Sequence, residues 1–250
     1  MSHHTVAMQD VHYTYSDNTA ALKGISFFIT HGESVALIGG NGAGKSTLLS
    51  LLVGIIFPTA GTVRVGGVDL TRTTAGEARR RIGMVFQNPD DQLFMPTVYD
   101  DVAFGPLNLG FSAEQTRRLV EEALETVGAG HLRQRSSNRL SIGEKRAVSI
   151  ATVLAMTPDI LLMDEPTSGL DPWSRRQLIL LLRQFCHTKI IATHDLDFAM
   201  DVCKRTLVLQ DGRVVADGPT EDILRDCELL ASCRMEPPLR LQGCPVCCKR

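Results

Sequence analysis

The chain has no long apolar run. Its most hydrophobic window, 48–57, is ten residues long, includes Ser50 and Gly54, and stops at Pro58. A membrane-spanning helix needs roughly twenty apolar residues. The N-terminus, MSHHTVAMQD, lacks the basic and apolar regions of a signal peptide. A cytoplasmic location is therefore expected, with any membrane association made through a partner. A charge surplus is also missing: 26 basic against 28 acidic residues leave a net charge of −2, so there is no electrostatic footprint for nucleic acid. The acidic residues are dispersed, which excludes an acidic tail. Cysteine is absent before Cys186 and the total of seven is odd, so no disulfide framework is expected in the main body. Five cysteines (Cys227, Cys233, Cys244, Cys247, Cys248) crowd the last 24 residues. Such a cluster could hold a soft transition metal. Adjacent Cys247 and Cys248 suit the regular spacing of a zinc site poorly, and an incidentally cysteine-rich tail is the expectation.

What is present suits a globular protein. Apolar residues make up 44% and charged residues 22% of 250 residues, enough for one large domain with a subdomain. Short apolar runs alternate with helical patterns, which predicts an α/β fold. Strands are predicted at 34–38, 81–86, 159–163 and 189–193, and their nearly unbroken apolarity suits central strands covered on both faces. Helices are predicted at 45–53, 172–186 and 195–203. In TLVLQDGRVVADG, Asp211-Gly212 signals a hairpin. Residues 88–155 read as an inserted helical subdomain. Ser112 and Gln115 there form a capping box ahead of one helix, and a second runs from about Ile142 to Ala155. The expected division is 1–87 with 156–225 as the α/β core and its N-terminal β subdomain, 88–155 as the helical subdomain, and 226–250 as a cysteine-rich extension. From Pro237 the chain has no periodicity and is expected to be loosely ordered.

GGNGAGKST, residues 39–47, matches the phosphate-binding loop G-x-x-x-x-G-K-[ST], placed between a strand and a helix as that motif requires. Glycines let successive N–H groups turn inward as an anion nest, and the helix N-terminus adds its dipole. Lys45 would meet the β- and γ-phosphates, and the Ser46 hydroxyl would ligate Mg²⁺. DILLMDEP supplies the acidic counterpart. Asp164, at the exposed end of its strand, would hold the metal, and Glu165 suits a general base for water attacking the γ-phosphate.

Four further stretches extend this set: Gln87 after its strand, LSIGEKRAVSIATVLA upstream of DILLMDEP, SGLDP at 168–172, and THD at 193–195. Together these motifs resemble the nucleotide-binding domain of an ABC ATPase over nearly the whole chain to about residue 225. The resemblance implies a P-loop core with a mixed sheet, an antiparallel β subdomain and an inserted helical subdomain. It implies ATP and Mg²⁺ as cofactors. Tyr15 would stack on adenine, with Tyr13 the second choice. Gly39, Asn41, Gly42, Ala43, Gly44, Lys45, Ser46 and Thr47 would cradle the phosphates, and Gln87 would approach Mg²⁺ and the γ-phosphate. Ser141, Gly143 and Glu144 would form the signature that reaches nucleotide on the opposite subunit. Asp171 would cross the dimer interface, and His194 would sit beside the γ-phosphate. Each ATP site would then need a second chain, in a homodimer with two composite sites.

Two positions depart from the family pattern. Ile142 stands where the signature usually has glycine; being β-branched, it disfavours a positive φ, but Ser141 and Gly143 remain, so activity is expected, slower or with altered closure. Gly40 stands where a bulkier residue is common and is expected to loosen the loop slightly. The chain has neither long coiled-coil insertions nor a tandem second domain, which points to a transporter subunit with separate membrane proteins. VFQNPDDQLF followed by TVYDDVAFGPLNLG resembles the ATPases of energy-coupling-factor importers, especially the cobalt and nickel (CbiO) branch. That implies transmembrane coupling and substrate-binding subunits, no nucleic acid, and a peripheral place on the cytoplasmic face of the membrane. Leu93, Phe94 and Met95 would receive a helix of the membrane subunit, or else pack in the helical subdomain. The alternatives are a vitamin importer of the same type and a slow-turnover regulatory ABC protein.

Overall fold

The computed structural model describes residues 5–242. Strands β1 (Val6–Thr14) and β2 (Ala20–Ile29) pair antiparallel, and β3 (Ser34–Ile38) leads into helix α1 (Lys45–Leu52). Next come β4 (Ala60–Val65), β5 (Val68–Asp69), α2 (Ala75–Arg79) and β6 (Ile82–Val85). Three longer helices follow: α3 (Val98–Asn108), α4 (Ala113–Thr126) and α5 (Ile142–Leu154). The chain returns through β7 (Ile160–Asp164), α6 (Pro172–Gln184), β8 (Thr188–Ala192) and α7 (Leu196–Val202). It closes with β9 (Arg205–Gln210), β10 (Arg213–Pro219), α8 (Thr220–Arg225) and α9 (Cys227–Ser232).

Two sheets result. One is antiparallel, in the order β2-β1-β4-β5; the other is mixed, in the order β10-β9-β3-β8-β7-β6. In the mixed sheet β9, β3, β8, β7 and β6 run parallel, and only the β9–β10 hairpin is antiparallel. Every residue of β3, β7 and β8 is buried, which explains their continuous apolarity. Asp211 (φ 47°) and Gly212 (φ 79°) turn the β9–β10 hairpin, as two positive φ angles in a tight turn require. Parallel strands carry their connecting loops at one end, so the segments after β3, β6, β7 and β8 open on the same edge. All four candidate catalytic motifs lie on those segments.

The helices at 98–154 have an apolar cluster of their own, including Leu93, Val98, Val102, Val120, Leu124, Leu132 and Val148. Helix α4 begins with the expected capping box, Ser112 Oγ accepting from Gln115 N and Gln115 Oε1 from Ser112 N. The final segment differs from expectation. Helix α8 sends Leu224, α9 Leu230, and the residue after α9, Cys233, into the core beneath the mixed sheet. The residues just beyond Pro237 are also docked rather than loose. Leu239 N and the Arg240 guanidinium bind Asp197, and Arg240 also reaches Asp201 of α7. Cys244, Cys247 and Cys248 lie outside the described residues. Cys227 is exposed and Cys233 buried, and no metal-binding group of His, Cys, Asp or Glu occurs among the described residues. No helix among them is long and apolar enough to cross a membrane.

Candidate functional site

The loop between β3 and α1 turns on Gly39 (φ 152°) and Gly44 (φ 107°). A Cβ on Gly39 would lie 2.2 Å from the Leu209 carbonyl oxygen, and one on Gly44 would lie 2.8 Å from a Leu22 methyl. Neither position admits a side chain. Gly44 caps α1 without a side-chain acceptor, so the first amides of α1 are left for a ligand, and an anion suits that helix terminus. Lys45 is buried and folds back on the loop, donating to the Gly39 carbonyl at 2.7 Å and to Gly40 at 3.2 Å. Thr47 Oγ1 lies 2.8 Å from the Tyr15 hydroxyl, and the Tyr15 ring meets Tyr13 edge-on at 4.9 Å. Tyr15 is 41% exposed, which leaves it the more open of the two rings. A Cβ on Gly40 would meet the Cys233 carbonyl at an ordinary 3.6 Å, so packing does not demand glycine there.

Asp164 ends β7, buried beside the Ser46 hydroxyl. Burial pushes its carboxyl above the usual carboxylate range, opposed by the Ser46 hydroxyl and by the charges of Lys45 and Arg146. Its Oδ1 has no hydrogen-bond partner among the described residues. A buried, unsatisfied carboxylate oxygen next to a hydroxyl is a fitting donor set for a hard divalent cation. Glu165, the next residue, is held at φ 44°, an uncommon conformation for a non-glycine residue and one that clusters at functional sites. Its Oε2 accepts from His194 Nδ1 at 2.7 Å and from His194 N at 3.1 Å. The imidazole is otherwise largely open, 70% of its side chain exposed. Asp195 caps α7 and takes a two-pronged pair from Arg175 at 2.8 and 3.0 Å, which ties the His194 loop to α6.

A second group forms where α5 and α6 begin. Ser141 and Glu144 make a capping box: Ser141 Oγ accepts from Glu144 N, and Glu144 Oε2 accepts from Ser141 N and Oγ. These bonds hold the Glu144 carboxyl below its ordinary range. Asp171 caps α6, accepting from Trp173 N, Ser174 N and Ser174 Oγ. A Cβ on Gly143 would fall 2.9 Å from that same Ser174 hydroxyl. Ser141, Gly143, Glu144 and Asp171 are therefore gathered at these two helix starts, and the hydrogen bonds of their side chains stay within that group. The backbone at Ile142 does not adopt the positive φ that a β-branched residue disfavours. Ile142 is the first residue of α5, its φ is not positive, and its side chain lies over Gly169.

Gln87 is exposed directly after β6. The bend that follows is a 3₁₀ turn, Pro89–Asp91, with Asn88 Oδ1 accepting from Asp90 N. The apolar flank divides: Leu93 is buried, whereas Phe94 is 63% exposed and packs edge-on to Phe104 at 5.1 Å. Three features had no sequence signal. Arg146 binds the carbonyls of Phe86 and Gln87. Asp101, buried on α3, accepts from Phe94 N and Met95 N. Phe104 and Leu107 extend the exposed patch begun by Phe94.

Comparison with known proteins agrees with this arrangement. Residues 22–168 match the family model described as ABC transporter. A Geobacter sulfurreducens protein named as an ABC transporter ATP-binding protein is 62% identical over 99% of both chains. An energy-coupling factor transporter ATP-binding protein of Methanospirillum hungatei is 43% identical, covering 94% of this chain and 87% of that one. Among solved structures, CbiO1 of Clostridium perfringens, part of the ABC transporter complex CbiONQ, superposes with a TM-score of 0.80. It shares 39% identity over 91% of this chain and 93% of its own. The chain belongs to the ABC transporter family, as an ATP-binding, ATP-hydrolysing subunit.

Proposed function

We propose that this chain powers a membrane importer of cobalt or nickel ions through ATP-driven closure of a homodimer. The observation that carries the reading is the split of the nucleotide motifs into two groups, one around Lys45, Asp164, Glu165 and His194, the other at the starts of α5 and α6. Two copies packed head to tail would bring the second group of one onto the phosphates held by the first group of the other. Similarity to CbiO1 and the stretch from Val85 to Gly110 support the choice of cargo class. The division into an α/β core, a helical subdomain at 88–155 and a C-terminal extension belongs to the same reading, as does a peripheral place on the cytoplasmic face of the membrane.

In this scheme the uncapped start of α1 and the loop 39–47 bind the triphosphate, and Tyr15 stacks on adenine. Lys45 exchanges its two loop carbonyls for phosphate oxygens. Ser46, Asp164 and Gln87 would hold Mg²⁺, which offsets charge on the phosphates when bound. Glu165 takes the proton of the attacking water, with its carboxylate aimed by His194 Nδ1. The Ser141 hydroxyl, now spent on its own cap, turns its proton toward the partner's γ-phosphate. The exposed patch of Phe94, Phe104 and Leu107 receives the membrane subunits, with Asp101 fixing the backbone under Phe94.

The test is Glu165→Gln. Hydrolysis should fall by at least about a hundredfold, ATP binding should persist, and light scattering should show a dimer that forms only with ATP. Parent-like hydrolysis would remove Glu165 as the base. For the cargo, the complex assembled with its membrane subunits should take up radioactive cobalt or nickel only with ATP; uptake of neither ion would refute the cargo class.

A further inference from the structure

Arg146 heads the large side chains that the fold buries completely, at 2% exposure. It takes no direct part in the phosphate chemistry above, although its charge acts on Asp164. It lies five residues after Ser141 on α5, and its two terminal nitrogens each donate at 2.6 Å to a main-chain carbonyl, Nη1 to Phe86 and Nη2 to Gln87. Burying a guanidinium is costly unless strong hydrogen bonds replace its water. Here the replacements for the two terminal nitrogens are carbonyls of the two residues that leave β6 for the nucleotide site, while Nε has no partner among the described residues. The same helix grips the same loop at three further points. Lys145 Nζ meets Asp90 Oδ1 at 2.5 Å. Gln92 Nε2 donates to Ser149 O at 2.8 Å and to Thr152 Oγ1 at 2.7 Å, while Gln92 Oε1 accepts from Phe86 N. Toward α6, by contrast, α5 borders a cleft of about 640 Å³ lined by Gly143, Ala147, Ile150, Trp173 and Leu181 among others. The helix is hydrogen-bonded to loop 86–92, whereas it meets α6 closely only at its start, where Gly143 faces Ser174, and borders the cleft beyond.

We propose that Arg146 is the positioning residue that makes loop 86–92 and helix α5 one mechanical unit, so that displacement of Gln87 at one nucleotide moves Ser141 and Gly143 at the other. This rests on the composite-site reading above. Arginine suits the task because its planar fork spans two successive carbonyls, which the single ammonium of lysine does not. The link runs within one chain, whereas its effect appears between two sites, as cooperativity.

Arg146→Met in the full chain tests it. Methionine keeps much of the length of the stem but leaves the Phe86 and Gln87 carbonyls without their donor, so the melting temperature should fall by a few degrees. The variant should stay folded and bind Mg-ATP within about threefold of the parent, while hydrolysis drops at least about tenfold and the Hill coefficient falls to one. By hydrogen exchange, amides 86–93 should lose about tenfold protection while amides 42–48 keep theirs. Should the methionine variant not fold, Arg146→Lys carries the same measurements with a smaller expected loss. Parent-like turnover, cooperativity and 86–93 protection in either folded variant overturn the proposal, as does the failure of both to fold, which would make Arg146 a folding residue. The dimer reading fails separately. If Glu165→Gln stays monomeric with ATP while Arg146→Met still loosens 86–93, the link stands and the composite sites do not.

Discussion

Asp164 shows how a single side chain can be tuned against stability. Its folded-state carboxyl is raised by burial, so the native chain holds that proton more tightly than the unfolded one, and stability from this group falls as pH rises. Asp164→Asn removes the buried charge. Without nucleotide or metal it should melt higher than the parent at neutral pH, by roughly the 2–4 °C that about 1 kcal/mol gives in a chain of this size. The gap should close below about pH 4, where the parent carboxyl is protonated in both states. Differential scanning fluorimetry from acid to neutral pH would show both, and a lower melting point at neutral pH would contradict the account. Tyr15 makes a separable claim. Tyr15→Ala should weaken ATP binding about tenfold, as loss of one base–aromatic stack does. Tyr15→Phe should stay within about threefold, because it loses only the hydroxyl bond to Thr47. Isothermal titration distinguishes the two.

At the scale of elements, the signature is first a helix cap. Ser141→Ala removes the acceptor for Glu144 N and should cost about 1 kcal/mol of stability, measured by denaturant unfolding, besides whatever it does to turnover. Ile142 is a first-turn helical residue and not a strained one. Ile142→Gly should therefore destabilise by about 0.5–1 kcal/mol and relieve nothing, and a gain in stability would show hidden strain. Elements also differ in how plainly their residues announce them. Strands β3, β7 and β8 could be read because burial on both faces leaves an unbroken apolar run. Helix α3 could not, because Gly105 and Pro106 interrupt its pattern, although Thr97 caps it at Asp100 N. Helices α8 and α9 have six residues each and bury one or two apart from tertiary partners, too few to set a period.

For the whole molecule, the exposed Phe94, Phe104 and Leu107 form the face assigned to the membrane subunits. Phe104→Glu with Leu107→Glu should abolish co-purification with those subunits and ATP-dependent uptake. The isolated chain should still bind ATP with parent affinity, since both side chains are exposed on α3. Retained assembly would place the docking face elsewhere. The C-terminal segment acts at this scale too: Arg240 joins it to α7, and α9 packs Leu230 beneath the mixed sheet.

The amino-acid sequence alone determined the chemistry that is written contiguously. Residues 39–47 and 164–165 carry their geometry in local φ angles and in a strand end, so residue type and spacing suffice to recognise them. Only tertiary structure decided the rest. The bonds from Arg146 to Phe86 and Gln87 span about sixty residues and end on carbonyls, which have no residue type to read. The division of Leu93 from Phe94 depends on which face α3 and α5 cover. The docking of Arg240 needed Asp197 and Asp201 brought to one side of a helix. Local conformational preference is a property of a few neighbouring residues, whereas burial and long-range pairing exist only once the chain has closed on itself.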